Sequence, residues 1–252
     1  VGDENVIKKV CEEKGIDPNK FRIIDVKDEK QSGVKAVDLI NSGEGDVLMK
    51  GLISTDKYMR CILDKERGLM KPKSILTHIG VIDNPNYPKL LLASDMAIIP
   101  TPDLKQKAAI TNYLIKVAKS IGIEEPKVAI VTATEKANPK MPACIDASVI
   151  SKMGDRGQIK GAKIDGPLAM DVAIDPESVR IKKIKSDVAG EADCLVFPNI
   201  ETGNVFYKSM TKLAKSDMAA IVVGAKVPAI LPSRGDSEKS KLYSIALAAL
   251  ME

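Results

Sequence analysis

The 252-residue chain has no tryptophan, three phenylalanines, five tyrosines and a single histidine, His78. Stacking platforms for bases or sugars are therefore scarce. One histidine excludes multi-histidine metal centres and leaves any Ser-His-Asp arrangement resting on that residue alone. The cysteines Cys11, Cys61, Cys144 and Cys194 lie far apart, with no C-x-x-C pair. Disulfide frameworks and structural zinc need denser spacing, so a reducing, cytoplasmic setting is expected. No apolar run approaches the roughly 20 residues that cross a bilayer, and no secretory signal pattern opens the chain. An excess of one charge is also lacking: 38 Lys+Arg against 34 Asp+Glu leaves +4. A dedicated nucleic-acid binder usually carries a large basic excess, so that class is disfavoured.

What is present is a 44% hydrophobic composition, enough for a sizeable core. Its pattern alternates short β-branched runs with longer amphipathic stretches. Strands are expected at Phe21–Val26, Val47–Met49, Ser74–Val81, Met96–Ile99, Lys127–Thr132, Gly161–Asp165, Cys194–Phe197 and Ala219–Val223. Helices are expected at Asn5–Lys14, Gly33–Ser42, Thr55–Leu63, Leu104–Ile121, Ala143–Lys152, Asp171–Ile174, Val205–Ser216 and Glu238–Met251. Strand–helix alternation predicts an α/β fold with a largely parallel sheet, arranged either as one sheet or as two lobes.

In such folds ligands bind beyond the carboxyl ends of strands. Four of these junctions carry Gly, Asn, Ser or cationic residues: Lys50-Gly51 with Ser54-Thr55 and Arg60; Glu135 to Met141; Pro198-Asn199 to Asn204 with Tyr207-Lys208; and Gly224 to Pro228 followed by Ser233-Arg234-Gly235-Asp236. Helix N-termini, hydroxyls, a glycine and a nearby cation together form an anion site. Each junction alone is an ordinary turn; the four together point to a phosphorylated substrate. The P-loop pattern is absent, and Gly43-Glu44-Gly45 precedes a strand instead of following one, which disfavours P-loop hydrolysis and dinucleotide binding.

Other residues have plainer expectations. His78 falls in the apolar run Ile75–Val81 and is expected to be a packed, hydrogen-bonded strand residue, a cleft role being the lesser reading. Asp165-Gly166-Pro167 and Asp155-Arg156-Gly157 are expected as turns. Arg180–Lys185 is expected as a solvated face, and the cysteines as small apolar side chains.

The same junctions carry a resemblance. Asp46–Thr55, Asn138–Met141, Ser151–Ile159, Asp165–Leu168, Pro198–Asn204 with Tyr207-Lys208, and Val222–Pro228 together resemble the phosphate acetyl/butyryltransferase family, from residue 2 to the C-terminus. The closing Ser233-Arg234 and Lys241–Ala248 look more like its butyryl branch. The resemblance implies two isocitrate-dehydrogenase-like α/β lobes with a cleft between them, one from residues 1–71 and 225–252, the other from 72–224. It also implies the reversible reaction butyryl-CoA + phosphate ⇌ butyryl phosphate + CoA, with no cofactor and no metal, since coenzyme A and phosphate are substrates. At least a dimer is expected, and no nucleic-acid or membrane partner.

Carried over by position, Ser233 and Arg234 match the Ser-Arg pair beside the acyl phosphate, Arg60 a substrate-binding arginine, and Gly203-Asn204 a Gly-Asn loop. Direct acyl displacement would then have Arg234 and Arg60 hold the phosphate, with Ser233 and backbone N–H groups near Gly203 and Asn204 stabilising the oxyanion. Asp236 would act as base. The remaining expected substrate contacts are Lys50, Gly51, Ser54, Thr55, Asn199 and Lys208. Three departures stand beside the match. Ser240 occupies the position of the acetyl branch's proposed base, Lys212 replaces an arginine, and Val1-Gly2-Asp3-Glu4 begins where the family has already completed a strand–helix unit, which leaves an expected member short of that unit. Alternatives are acetyl transfer, a metal-dependent dehydrogenase of related fold, for which no acidic ligand cluster is visible, and a non-catalytic acyl-CoA or phosphate binder.

Overall fold

A computed structural model describes residues 1–232 and 235–251. Its eight strands are β1 (Leu48–Met49), β2 (Thr77–Asp83), β3 (Leu91–Ser94), β4 (Lys127–Thr132), β5 (Lys163–Ala169), β6 (Cys194–Val196), β7 (Asp217–Val223) and β8 (Ala229–Ile230). They join into one sheet in the order β1-β8-β7-β2-β3-β6-β4-β5. Pairing is parallel for β1–β8, β3–β6, β6–β4 and β4–β5. It is antiparallel for β8–β7, β7–β2 and β2–β3. The α/β expectation holds.

Helices α1 (Glu4–Glu13), α2 (Glu29–Asn41), α3 (Thr55–Leu63), α4 (Leu104–Ser120), α5 (Pro142–Asp155), α6 (Met170–Ile174), α7 (Pro176–Lys182), α8 (Ile200–Lys208) and α9 (Glu238–Ala249) surround the sheet. Their starts follow the side chains that satisfy the first free N–H groups: Asp3, Asp28, Ser54, Asn199 and Ser237 each accept from the following turn. Asp103 and Gln106 close a capping box on α4.

Strand alternation sorts the core. Ile79, Leu92, Cys194 and Val196 pack with Ile110 and Leu114 of α4, Ile150 of α5 and Leu247 of α9. Ile82, Ala93, Leu195 and Phe197 join Val172 of α6 in a second cluster that also gathers Phe206 and Tyr207 of α8. A third cluster holds Val37 and Ile40 of α2, Tyr58, Cys61 and Ile62 of α3, and Leu48 and Ala229. Each large apolar side chain removed from water contributes about 1.5–3 kcal/mol.

Several expectations are corrected. Phe21–Val26 is not a strand: a single bridge joins Gly2 to Asp25, and Phe21 is exposed. Met96–Ile99 is not one either. The Asp95 carboxylate accepts from the N–H groups of Ala97, Ile98 and Ile99, curling the backbone away from the sheet, so β3 ends at Ser94. Asp165-Gly166-Pro167 is no turn but lies within β5, where the register with β4 shifts between Ala129 and Val131, an irregularity that accommodates a residue without an N–H. The helix expected at Val205–Ser216 starts earlier, where Asn199 caps it, and continues as a π-helical turn over Ser209–Leu213. Strand β3, helix α7 and strand β8 were not expected; α7 takes in part of the basic run, with Arg180–Lys183 exposed.

Candidate active site

The carboxyl ends of β1, β3 and β8, the start of β2, the middle of β7 and helix α8 surround a cavity of about 450 Å³. One wall is the β1–α3 junction. Lys50 is 7% exposed, and its ammonium donates to the Gly51 carbonyl at 3.0 Å. Ser54 caps α3, so its hydroxyl and that of Thr55 stand at the positive end of a nine-residue helix beside a buried cation. The junction is pinned from behind by Tyr58, whose hydroxyl donates to the Leu48 carbonyl at 2.8 Å, and by the Ser54 N–H donating to Glu29 Oε1 at 2.7 Å.

The opposite wall comes from α8 and the loop before α9: Asn204, Tyr207, Lys208, Leu231, Pro232 and Asp236. Asn204 is tied to the β3 end by its amide donating to the Met96 carbonyl at 3.2 Å. Gly203 makes that approach possible. A Cβ there would lie 2.0 Å from the Asp95 carbonyl oxygen, so any side chain would overlap backbone. The Lys208 ammonium sits over the Tyr207 ring, 4.2 Å from its centroid. Tyr207 in turn donates to Asp236 Oδ1 at 3.0 Å; burial first, then the nearby carboxylate, push its phenol well above the usual range, keeping it a donor. Tyr207, Lys208, Ala220, Asp236 and Ser244 also line an adjoining cavity of about 280 Å³ that contains Lys212 and Lys215.

The cavity floor is His78 of β2 and Ala220 of β7, with Met96 and Ala97 of the turn that follows β3 beside them. His78 is 7% exposed, and its Nδ1 has no hydrogen-bond partner among the described residues. The expectation of a hydrogen-bonded core histidine is thus corrected at that nitrogen, and the ring lies on the cleft. Asp95 cannot supply the missing bond. Its oxygens already accept from Ala97, Ile98 and Ile99 N–H groups and from the Thr77 hydroxyl at 3.0 Å.

Of the expected site residues, the fold gathers Lys50, Ser54, Thr55, Asn204, Lys208 and Asp236 on one cavity. Gly51 supplies its carbonyl to Lys50, and Gly203 packs behind the wall. Asn199 is occupied as the α8 cap, accepting from Thr202 N–H at 2.9 Å. Arg60 does not line the cavity; its guanidinium is 79% exposed and pairs with Asp56 at 3.1 Å. Ser233 and Arg234 lie outside the described residues. The residues missed by sequence reasoning are Asp95, Met96, Ala97 and the β7 residue Ala220, while Tyr207 is named in its junction without a role; Ser94-Asp95 at the close of an apolar run is the local signal that marks the first of these. Among the described residues no three His, Cys, Asp or Glu side chains cluster as metal ligands, and no helix is long and apolar enough to cross a membrane.

The family described as phosphate acetyl/butaryl transferase matches residues 1–249. The chain belongs to this family. Phosphate butyryltransferase of Clostridium acetobutylicum is 45% identical over 251 residues, covering 100% of this chain and 83% of that protein. Phosphate acetyltransferase of Thermotoga maritima is 42% identical over 249 residues, 99% of this chain and 84% of that protein. A branched-chain phosphotransacylase from Enterococcus faecalis V583 superposes with a TM-score of 0.84 at 30% identity, over 98% of this chain and 94% of that one. A 4-hydroxythreonine-4-phosphate dehydrogenase from Salmonella typhimurium shares the fold alone, with a TM-score of 0.55 at 13% identity. The family makes this chain an acyltransferase, and the gathered cations and hydroxyls are the surroundings such a transfer requires.

Proposed function

We propose that the cavity binds inorganic phosphate and an acyl-CoA side by side and transfers the acyl group directly: butyryl-CoA + phosphate ⇌ butyryl phosphate + CoA. The observation that carries this reading is the buried Lys50 beside the α3 N-terminus, facing Asn204, Lys208 and Asp236 across one cavity.

A phosphate oxygen attacks the thioester carbonyl carbon, a C–O bond forms, the C–S bond breaks, and the thiolate leaves and takes a proton. In reverse, Asp236 accepts the CoA thiol proton. Lys50 and the first N–H groups of α3 hold phosphate, so two anionic reactants meet at low entropic cost. Lys208, Lys212 and Lys215 lie along the adjoining cavity, where they suit the phosphates of CoA. Arg60 has no part unless it leaves Asp56. Ser233 and Arg234 keep the roles that the family resemblance gives them, and Lys50 supplies the cation this structure does describe. The reading also keeps two lobes sharing the sheet, residues 1–71 with 225–252 and residues 72–224; the cluster of α2, α3, β1 and β8 supports the first as a unit, although α9 packs Leu247 and Ala248 on the core of the second. We further propose a cytoplasmic homo-oligomer.

The test is phosphate-dependent release of free thiol from butyryl-CoA, repeated with acetyl-CoA because 42%-identical relatives carry the acetyl name. Release only with phosphate, faster for butyryl-CoA, is expected. Release without phosphate, or none at all, sinks the reading, and faster acetyl release moves the substrate to the shorter acyl group.

A further inference from the structure

His78 has no place in the transfer described above, yet its position is hard to reconcile with a purely structural role. It occupies the middle of an eight-stranded sheet, paired with Val222 of β7, and it is 7% exposed. A buried polar nitrogen left without a partner forfeits the hydrogen bonds it made with water, and an apolar side chain of similar shape would avoid that loss. The neighbouring acids do not complete it. Asp95 is saturated by its own loop and Thr77, and Asp236 Oδ1 is held by Tyr207. The imidazole lines the cavity between the cationic wall of Lys50 and the α8 wall, beside the apolar Met96, Ala97 and Ala220.

We propose that His78 is a substrate-contacting residue of the acyl transfer: its neutral imidazole donates a hydrogen bond to the carbonyl oxygen of the bound acyl group. The inference rests on the acyl-CoA reading of the cavity. Three features of the floor choose the carbonyl over the phosphate. A neutral single donor suits an oxygen that gains charge only during reaction, whereas the dianion has Lys50 and a helix N-terminus available. Met96, Ala97 and Ala220 beside the ring offer an apolar surface to an alkyl chain. The ring is fixed on a central strand, so the donor is held in place before reaction.

Because His78 is the only histidine, its ring can be observed alone. In untagged protein labelled with 15N-histidine, butyryl-CoA added in phosphate-free buffer should shift one imidazole nitrogen to a hydrogen-bonded value, with CoA alone leaving it unmoved. Identical spectra with CoA and butyryl-CoA would overturn the proposal. The His78→Leu variant should lose about 100-fold in kcat with KM for phosphate within about threefold, while its melting temperature equals or exceeds that of the wild type, the size of one lost oxyanion donor. His78→Asn, which keeps an amide donor near Nδ1, should recover at least about tenfold over the leucine variant. Activity within threefold of wild type for His78→Leu, or a melting temperature that falls along with activity in both variants, refutes the contact. Failure of wild-type protein to release thiol in the presence of phosphate would instead refute the acyl-transfer reading, and the spectra separate the two failures.

Discussion

The Tyr207 hydroxyl donates to Oδ1 of Asp236 across a 3.0 Å gap, joining the last turn of α8 to the loop that leads into α9. One bond thus holds the proposed base in place from an element anchored by Gly203 and Asn204. Removing it should loosen the carboxylate without removing its charge. Tyr207→Phe should lower kcat/KM about tenfold, near 1.4 kcal/mol, the scale of a hydrogen bond to a charged group. In an Asp236→Asn background the same change should cost little more, because the two residues act as a unit. Steady-state rates of the four proteins settle it; additive losses would mean that Tyr207 contributes by some route other than Asp236.

Lys50 is the buried cation of the phosphate wall. Lys50→Met keeps most of the stem's packing and deletes the charge. KM for phosphate should rise roughly 10–100-fold, as for loss of one charge-assisted contact, with KM for butyryl-CoA nearly constant. Equal changes in both constants would place Lys50 elsewhere in the reaction.

Gly203 shows how backbone contact, not side-chain chemistry, builds the site. Gly203→Ala puts a methyl group 2.0 Å from the Asp95 carbonyl oxygen, and only movement of α8 or of the Asp95 turn relieves it. A loss of at least about 2 kcal/mol in urea unfolding is expected, with a fall in activity. The exposed glycine Gly235, where a Cβ would meet nothing within 4 Å, provides the contrast: Gly235→Ala should unfold within about 0.5 kcal/mol of wild type.

Burial pushes the His78 imidazole below its ordinary 6.5, opposed by Asp95 and Asp236 and reinforced by Lys208. The unfolded chain therefore takes up a proton in a pH range where the folded one resists it. Stability rises with pH wherever the unfolded state binds more protons, so it should fall as pH drops below the unfolded imidazole value. Urea midpoints at about pH 7 and about pH 5.5 should drop further for wild type than for His78→Asn, which cannot titrate. Parallel curves would show that the imidazole is protonated in the folded protein.

The strands and helices were legible wherever one face was decided by local pattern. Thr55–Leu63 is capped by Ser54 and Lys127–Thr132 is a β-branched run; both stand where the residues predict. Met96–Ile99 has the same apolar look, but a carboxylate one residue earlier captures its N–H groups, and propensity yields to that competing set of bonds. Phe21–Val26 fails for a different reason, since strand pattern is fulfilled only when a partner edge is available, and here one bridge is all it finds.

The amino-acid sequence determined the α/β class, the family, and most of the polar cavity lining, because Lys50, Ser54, Thr55, Asn204, Lys208 and Asp236 sit in motifs where strands run into helices. Tertiary structure alone decided which of these motifs meet. It turned Arg60 outward to Asp56, saturated Asp95, and left His78 on the cavity floor with no partner for Nδ1 among the described residues. Those outcomes depend on distances between segments far apart in the chain, such as Thr77 to Asp95 and Gly203 to Asp95. Local propensity says nothing about such distances; packing the sheet and its helices fixes them all at once.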